Sequence, residues 1–484
     1  MFMGRRKKRT ATKTTGRTAE DELVELDWRD FTRKNGKKIT LAIDPTTSLR
    51  QLSNELQDKL DIQFPFQLFY DNEPVEDVPN LVEAVKKNQA EGVEESVVLR
   101  RRVNLSRVAG LRRELKLLSA DDFPYGVVLV DEQSPEQVRD RIRDAVIDFV
   151  DRSLRDPSKA SFQIPSRSSD NIGYDEELKM VLMGNVLTDK TFRNLSSVQS
   201  TAQFTEMMRL VDSVLREQIH ATKRDLFYRN PKLFSDQRVS DGLIEDLGAM
   251  LRVTRNSLNV IASAKGKVLG RLWFDEGRDR IDCSQGLGGR AITPMIDQVR
   301  NLESDAEFVL VIEKDAAFQR LAEDRFFEFV PCILVTASGQ PDMATRLFVK
   351  KIREELDLPI LGFMDADPYG LDILRVYTIG SKAKSLETYE LAVTDIRWLG
   401  LLPSDLEKYN IPNSARINMT KEDIKRAEDL LAEDFVRARP EWQREIEIMI
   451  RTQEKAEIQA LMAHELRYMT NVYLPEKIES GDWI

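Results

Sequence analysis

Histidine is nearly missing from this sequence. Its 484 residues include two, His220 and His464, and two cysteines, Cys283 and Cys332, far apart in the chain. A histidine-held zinc site and a serine–histidine–aspartate triad are therefore not expected, and a resident metal would be a hard cation held by oxygen. Both cysteines sit in stretches that read as strands, which suits reduced, buried thiols in an intracellular protein. Long apolar runs are absent too. None approaches the roughly 18 residues of a membrane span, and the first residues lack the apolar core of a secretion signal. No GxxxxGK[ST] occurs, and "GLGGRA" follows no parallel strand, so nucleotide hydrolysis within this chain is not expected.

What is present is ordinary for a globular protein: 41% hydrophobic and 32% charged residues. The length suits about three or four domains. A net charge of −10 argues against a polyanion binder taken whole, so nucleic-acid contact needs segregated basic surface. Residues 1–22, with "GRRKKRTATKTTGR", supply such a region. It reads as a disordered basic arm for nuclear import or phosphate contact, or else as a solvated tail.

Residues 23–103 read as a small α/β module, with "KKITLAIDP" a strand, "TSLRQLSNELQDKL" a helix, and "FQLFYDNEPVEDV" and "SVVLRRR" further strands. Through "GKKITLAIDPTTSL" and "LFYDNEPVEDV" it resembles the ubiquitin-like β-grasp, without a di-glycine tail, which implies an interaction module with a protein partner. Residues 104–135 read as a mixed connector. The spacing then predicts an amphipathic helix in "PEQVRDRIRDAVIDFVDRSL", with Val138, Ile142, Val146 and Phe149 on one face. After a Ser-rich loop come two more helices and the short strands "KVLGRLWFDE" and "DRIDCS", a winged helix-turn-helix (CAP-like) pattern over residues 136–300. From 301 to 430 apolar runs alternate with helices, as in a parallel α/β sheet buried on both faces, and residues 431–484 return to helix.

Two of those runs end in acid. Glu313 follows "VLVI", and Asp365 and Asp367 follow "LGFM". Strand carboxyl ends share one sheet edge, where such folds bind ligands, so the three acids are expected to converge around a cation such as Mg²⁺. The alternative is that each acid caps a helix. A carboxylate-held Mg²⁺ usually serves phosphate chemistry. That turns attention to "RDLFYRN", residues 224–230, where Tyr228 is either a core ring or a nucleophile toward a phosphodiester. Arg224, one helical turn earlier, could assist it.

"IHATKRDLFYRN", "TRNSLNVIASAKGKVLGRL", "LVIEKDAAFQRLAEDRFF", "SGQPDMATRLF", "MDADPYGLDIL", "KAEIQAL" and "YLPEKIESGDWI" together resemble the family of topoisomerase VI A subunits, in wording most like its plant and eukaryotic members. The resemblance runs from about residue 136 onward and leaves residues 1–135 without a family role. It implies a winged-helix domain with Tyr228 as the nucleophile, Arg224 beside it, and a Toprim domain with Glu313, Asp365 and Asp367 on Mg²⁺. Lys265 and Arg346 are implied as DNA contacts. Also implied are duplex DNA as substrate, a homodimer, ATP bound only by a partner B subunit in an A2B2 assembly, no membrane role, and a nuclear location, or a cytoplasmic one for an archaeal origin. The related meiotic double-strand-break transesterases share fold and residues and are the rival reading. A DNA-bound scaffold with relic acids is the non-enzymatic one.

Overall fold

In the computed structural model the described residues are 24–30, 38–43, 48–60, 66–70, 73–90, 97–101, and 103–484 except 117, 120, 121, 125, 157–159, 193–194 and 262–264. The basic segment 1–22 lies outside them. The chain forms two compact units, Met1–Arg102 and Val103–Ile484.

In the first unit a five-stranded mixed sheet runs in the order Lys38–Ile43, Val24–Asp30, Val97–Arg101, Phe66–Tyr70, Glu73–Pro74. Its centre is the parallel pair of Val24–Asp30 with Val97–Arg101, and its other pairs are antiparallel. Leu52 and Leu56 of the helix Leu49–Leu60 are buried, as are Val78, Leu81, Val82 and Val85 of the helix Val78–Ala90. The second helix and the first strand extend the expected pattern.

The second unit holds two main cores. One is helical: Val138, Ile142, Phe204, Met207, Leu226, Leu243 and Leu247 meet where the helices Pro135–Arg155, Leu195–Arg216, Lys223–Arg229 and Gln237–Leu251 pack together. Val146 is 39% exposed, but Phe149, the last residue of the expected face, packs against this core with its ring stacked on Phe162 at 4.5 Å. The segment expected as a Ser-rich loop keeps Ser166, Ser168 and Ser169 in a turn but is otherwise largely strand. It forms antiparallel pairs, Ser161–Pro165 with Leu187–Thr191 and Ile172–Asp175 with Met180–Met183.

The other core is a six-stranded sheet buried on both faces, in the order Arg290–Ala291, Lys267–Gly270, Cys332–Thr336, Phe308–Ile312, Ile360–Phe363, Arg397–Gly400. The last four are parallel. Their apolar residues are continuous because helices cover both faces. Lys267–Gly270, expected as part of a wing on the helical domain, instead pairs antiparallel with Cys332–Thr336. The expected hairpin does form, Trp273–Glu276 with Asp279–Asp282, but its Phe274 and Ile281 pack into the sheet core. The helical part therefore ends near residue 261. A hairpin's sequence shows where it turns, not which core receives it.

The connector is also structured. Its helix Ser106–Glu114 buries Val108 and Leu111 in the sheet core. Helices Pro440–Thr452 and Leu474–Ser480 add to that core, and Ile484 exchanges backbone hydrogen bonds of 2.7 and 3.0 Å with Trp398. Among the described residues no helix is long and apolar enough to cross a membrane.

Candidate active site

The tyrosine sits on a short, well-capped helix. Thr222 precedes Lys223–Arg229, and its hydroxyl accepts from the Asp225 N–H at 3.2 Å while the Asp225 carboxylate accepts from the Thr222 N–H at 2.8 Å. The Thr222 N–H and the Thr222 hydroxyl, each donating to it at 2.8 Å, hold the Asp225 carboxyl below its usual range. Leu226 is the buried anchor of the helix, and Phe227 is partly buried against the same core. Tyr228 faces outward. It is 65% exposed, its ring lies edge-on to Phe227 at 5.3 Å, and its hydroxyl has no hydrogen-bond partner among the described residues. Arg224, one turn earlier, is exposed and without an ion-pair partner among the described residues. A tyrosine serving the core would look otherwise.

The acids occupy the opposite environment. Glu313 ends the central strand Phe308–Ile312, and Asp365 and Asp367 follow the neighbouring parallel strand Ile360–Phe363. The chain leaves Phe308–Ile312 toward one neighbour and later returns to its other side, so the acids stand at a switch point of the sheet. Glu313 Oε2 accepts from the Asp365 N–H at 2.9 Å. Asp365 Oδ1 accepts from the Ile458 N–H at 2.9 Å, and its Oδ2 pairs with Lys314 Nζ at 3.0 Å. Asp367 caps the helix Pro368–Thr378, accepting from the Gly370 N–H at 2.6 Å, so capping and convergence hold together.

Burial, reinforced by the Asp365 charge, pushes the Glu313 carboxyl up to about 8. Burial also raises Asp365 and Asp367. Gly370 leaves the cluster room: a Cβ there would lie 2.5 Å from the Asp365 carbonyl oxygen and 3.0 Å from Glu313 Oε2. All the donors are oxygens carrying more negative charge than the site easily holds, which fits a hard divalent cation. As they stand the acids converge without closing into a shell, and no three His, Cys, Asp or Glu side chains among the described residues are poised to hold a metal ion. Nor does any hydrogen bond or ion pair among them join Tyr228 or Arg224 to the three acids.

Residues 308–478 match the Toprim domain of the topoisomerase 6 A-subunit/Spo11 family, and residues 199–260 match type IIB DNA topoisomerase. The A subunit of DNA topoisomerase 6 from Arabidopsis thaliana is 48% identical over 342 residues, 70% of this chain and 80% of that relative. The A3 subunit of DNA topoisomerase 6 from Oryza sativa subsp. indica is 48% identical over 358 residues, 74% of this chain and 81% of its own. The human meiotic recombination protein SPO11 is 37% identical over 355 residues, covering 72% and 89%. This chain belongs to the family of topoisomerase 6 A subunits and Spo11 proteins.

The family matches divide the site as its geometry does, with the tyrosine helix in one segment and the acids in the Toprim segment. Of the two expected DNA contacts, Lys265 is exposed, its N–H directed at the Asp342 carboxylate at 3.4 Å. Arg346 is not. It is 3% exposed on the inner face of the helix Met343–Leu356, where burial, partly opposed by the Glu387 charge, draws it down to about 10. A surface contact by Arg346 is thus corrected. The long stem of an arginine lets it face inward on an amphipathic helix, and sequence alone does not show which way it turns.

Sequence reasoning missed three groups. Ala366 and Ala456 exchange backbone hydrogen bonds of 2.9 and 3.1 Å, laying residues 454–458 along the acids. That brings Glu457 to 3.4 Å from Lys314, and the Lys455 charge acts on Asp367. Of these, only the lysine directly after Glu313 was signalled by the sequence, through its place beside an acid. The third group centres on the buried Glu245. Lys223 of the tyrosine helix pairs at 2.8 Å with Glu245, which also holds Lys384 from the turn Lys382–Glu387. Leu386 of that turn packs into the helical core. Burial opposes ionisation of Glu245, but Lys384 and Lys223 carry its carboxyl down to about 2.

Proposed function

We propose that this member of the type IIB topoisomerase A-subunit family cleaves and reseals both strands of duplex DNA through Tyr228. The observation that carries the reading is the exposure of that phenol on a helix whose Leu226 is buried and whose Phe227 is partly buried. Tyr228 Oη attacks a backbone phosphorus, the bond to the 3′ oxygen breaks, and the 3′ hydroxyl leaves with a proton. The 5′ phosphate remains esterified to the ring, which conserves the bond for resealing without ATP at that step. Arg224 binds the attacked phosphate in a two-pronged contact. Glu313, Asp365 and Asp367 would hold Mg²⁺, which offsets charge developing on the phosphate oxygens when bound. Lys265 adds a backbone phosphate contact.

The helical part, about 127–261, acts as the winged-helix DNA reader, and the first unit, with its mixed-sheet order, as a β-grasp module for a protein partner. Two strands need two tyrosines, so the working form is a homodimer in which each tyrosine meets the partner's acids. Strand passage uses an ATPase B subunit in an A2B2 complex. The basic segment 1–22 and the plant relatives favour the nucleus.

The test is a covalent protein–DNA adduct that requires Mg²⁺. Wild type should form it and Tyr228→Phe should not; an equal adduct in the variant removes Tyr228 from the reaction. The identity to human SPO11 favours a second reading, a recombination-initiating break without efficient resealing. Relaxation of supercoiled DNA by the chain with ATP plus a B subunit separates the two. An inert scaffold would form no adduct under any condition.

A further inference from the structure

Asp365 is fully engaged. One oxygen accepts from the Ile458 N–H at 2.9 Å and the other pairs with Lys314 at 3.0 Å. The lysine has a second acid in reach, Glu457, at 3.4 Å. These two acids differ sharply in setting: the side chain of Asp365 is 2% exposed and that of Glu457 51%. Lys314 itself is one-third exposed and sits on the chain directly after Glu313, so its flexible stem spans the rim of the acid cluster.

We propose that Lys314 is a built-in counter-ion that occupies the divalent-cation site at Asp365 and withdraws to Glu457 when the cation binds. The inference rests on the metal role proposed for the three acids. An ammonium 3.0 Å from Asp365 Oδ2 occupies the approach a cation needs and repels it. Swinging to Glu457 frees that oxygen and keeps the lysine paired. Without the cation, Lys314 offsets a buried cluster of like charges that would otherwise strain the fold. Lys314 is therefore a positioning residue, and Glu457 acts only through it.

The probe is Mn²⁺ binding to the full chain without DNA, read by electron paramagnetic resonance, with melting curves in chelator alongside. Lys314→Met should bind Mn²⁺ about threefold to tenfold more tightly and melt at lower temperature in chelator. Glu457→Gln should bind more weakly, by about twofold to threefold, and lose that effect in the Lys314→Met background. If Lys314→Met folds poorly, Lys314→Gln takes its place with the same expected sign, and the effect of Glu457→Gln is read with and without it. Unchanged or weaker binding by a folded Lys314→Met overturns the inference, as does unchanged or tighter binding by Glu457→Gln. Asp365→Asn separates the two ideas. If wild type binds no Mn²⁺, or Asp365→Asn binds as well as wild type, the metal reading fails and takes this inference with it. If Asp365→Asn loses binding while Lys314→Met and Glu457→Gln do nothing, only the counter-ion idea fails.

Discussion

The two halves of the site are built by opposite rules. Tyr228 rides on a seven-residue helix held by one buried leucine and a capping box, with its hydroxyl free to solvent. The acids end strands buried at every position and are tied down by backbone N–H groups, the Lys314 ammonium and a close-fitting glycine. A nucleophile that must reach a phosphate supplied by another molecule gains from exposure. Acids that concentrate charge gain from a rigid, dry frame. No hydrogen bond or ion pair among the described residues joins the two halves.

The largest expected effect falls on the acids. Glu313→Gln should abolish the Mg²⁺-dependent adduct, yet stabilise the protein in chelator. Its raised carboxyl keeps a proton in the folded state at pH values where the unfolded chain, with an ordinary value of 4.5, has lost it. Stability in chelator should therefore fall as pH rises from 4.5 toward about 8, and less so in Glu313→Gln, measured by melting temperature against pH. A steeper loss in the variant would contradict the frame described for the acids.

Next comes Arg224→Ala, which should slow adduct formation by about 10²- to 10³-fold with an unchanged melting curve, because the exposed side chain supports no packing. Glu245→Ala should cost about 3 kcal/mol in denaturant titrations, since it leaves Lys223 and Lys384 confronting each other without their shared carboxylate. The smallest effect is expected at Lys265→Ala: a few-fold weaker DNA binding and a log–log salt slope shallower by about one. Arg346→Ala should leave that slope alone and lower stability instead.

Much of this was legible in the sequence for stated physical reasons. "VLVI" and "LGFM" run without polar breaks because their strands are covered on both faces, and an acid just beyond such a run lands on the sheet edge. Tyr228 was legible only in company, since nothing in "RDLFYRN" distinguishes a core ring from an exposed one. Lys455 and Glu457 were not legible as site residues. They reach the acids through a backbone pairing between Ala366 and Ala456, ninety positions apart, and backbone pairing leaves no side-chain pattern. Arg346 misled because its family position was clear while its direction on the helix was not.

The division of labour between exposed tyrosine and buried acids is tested most directly by mixing Tyr228→Phe protomers with Asp365→Asn protomers. Neither homodimer can cleave. If each phenol works on the partner's acids, a mixed dimer restores one intact pair and nicks a single strand. Abundant mixed dimers that leave both strands whole, with nicking instead from wild type paired to the double variant, would place tyrosine and acids of one chain together and contradict the account.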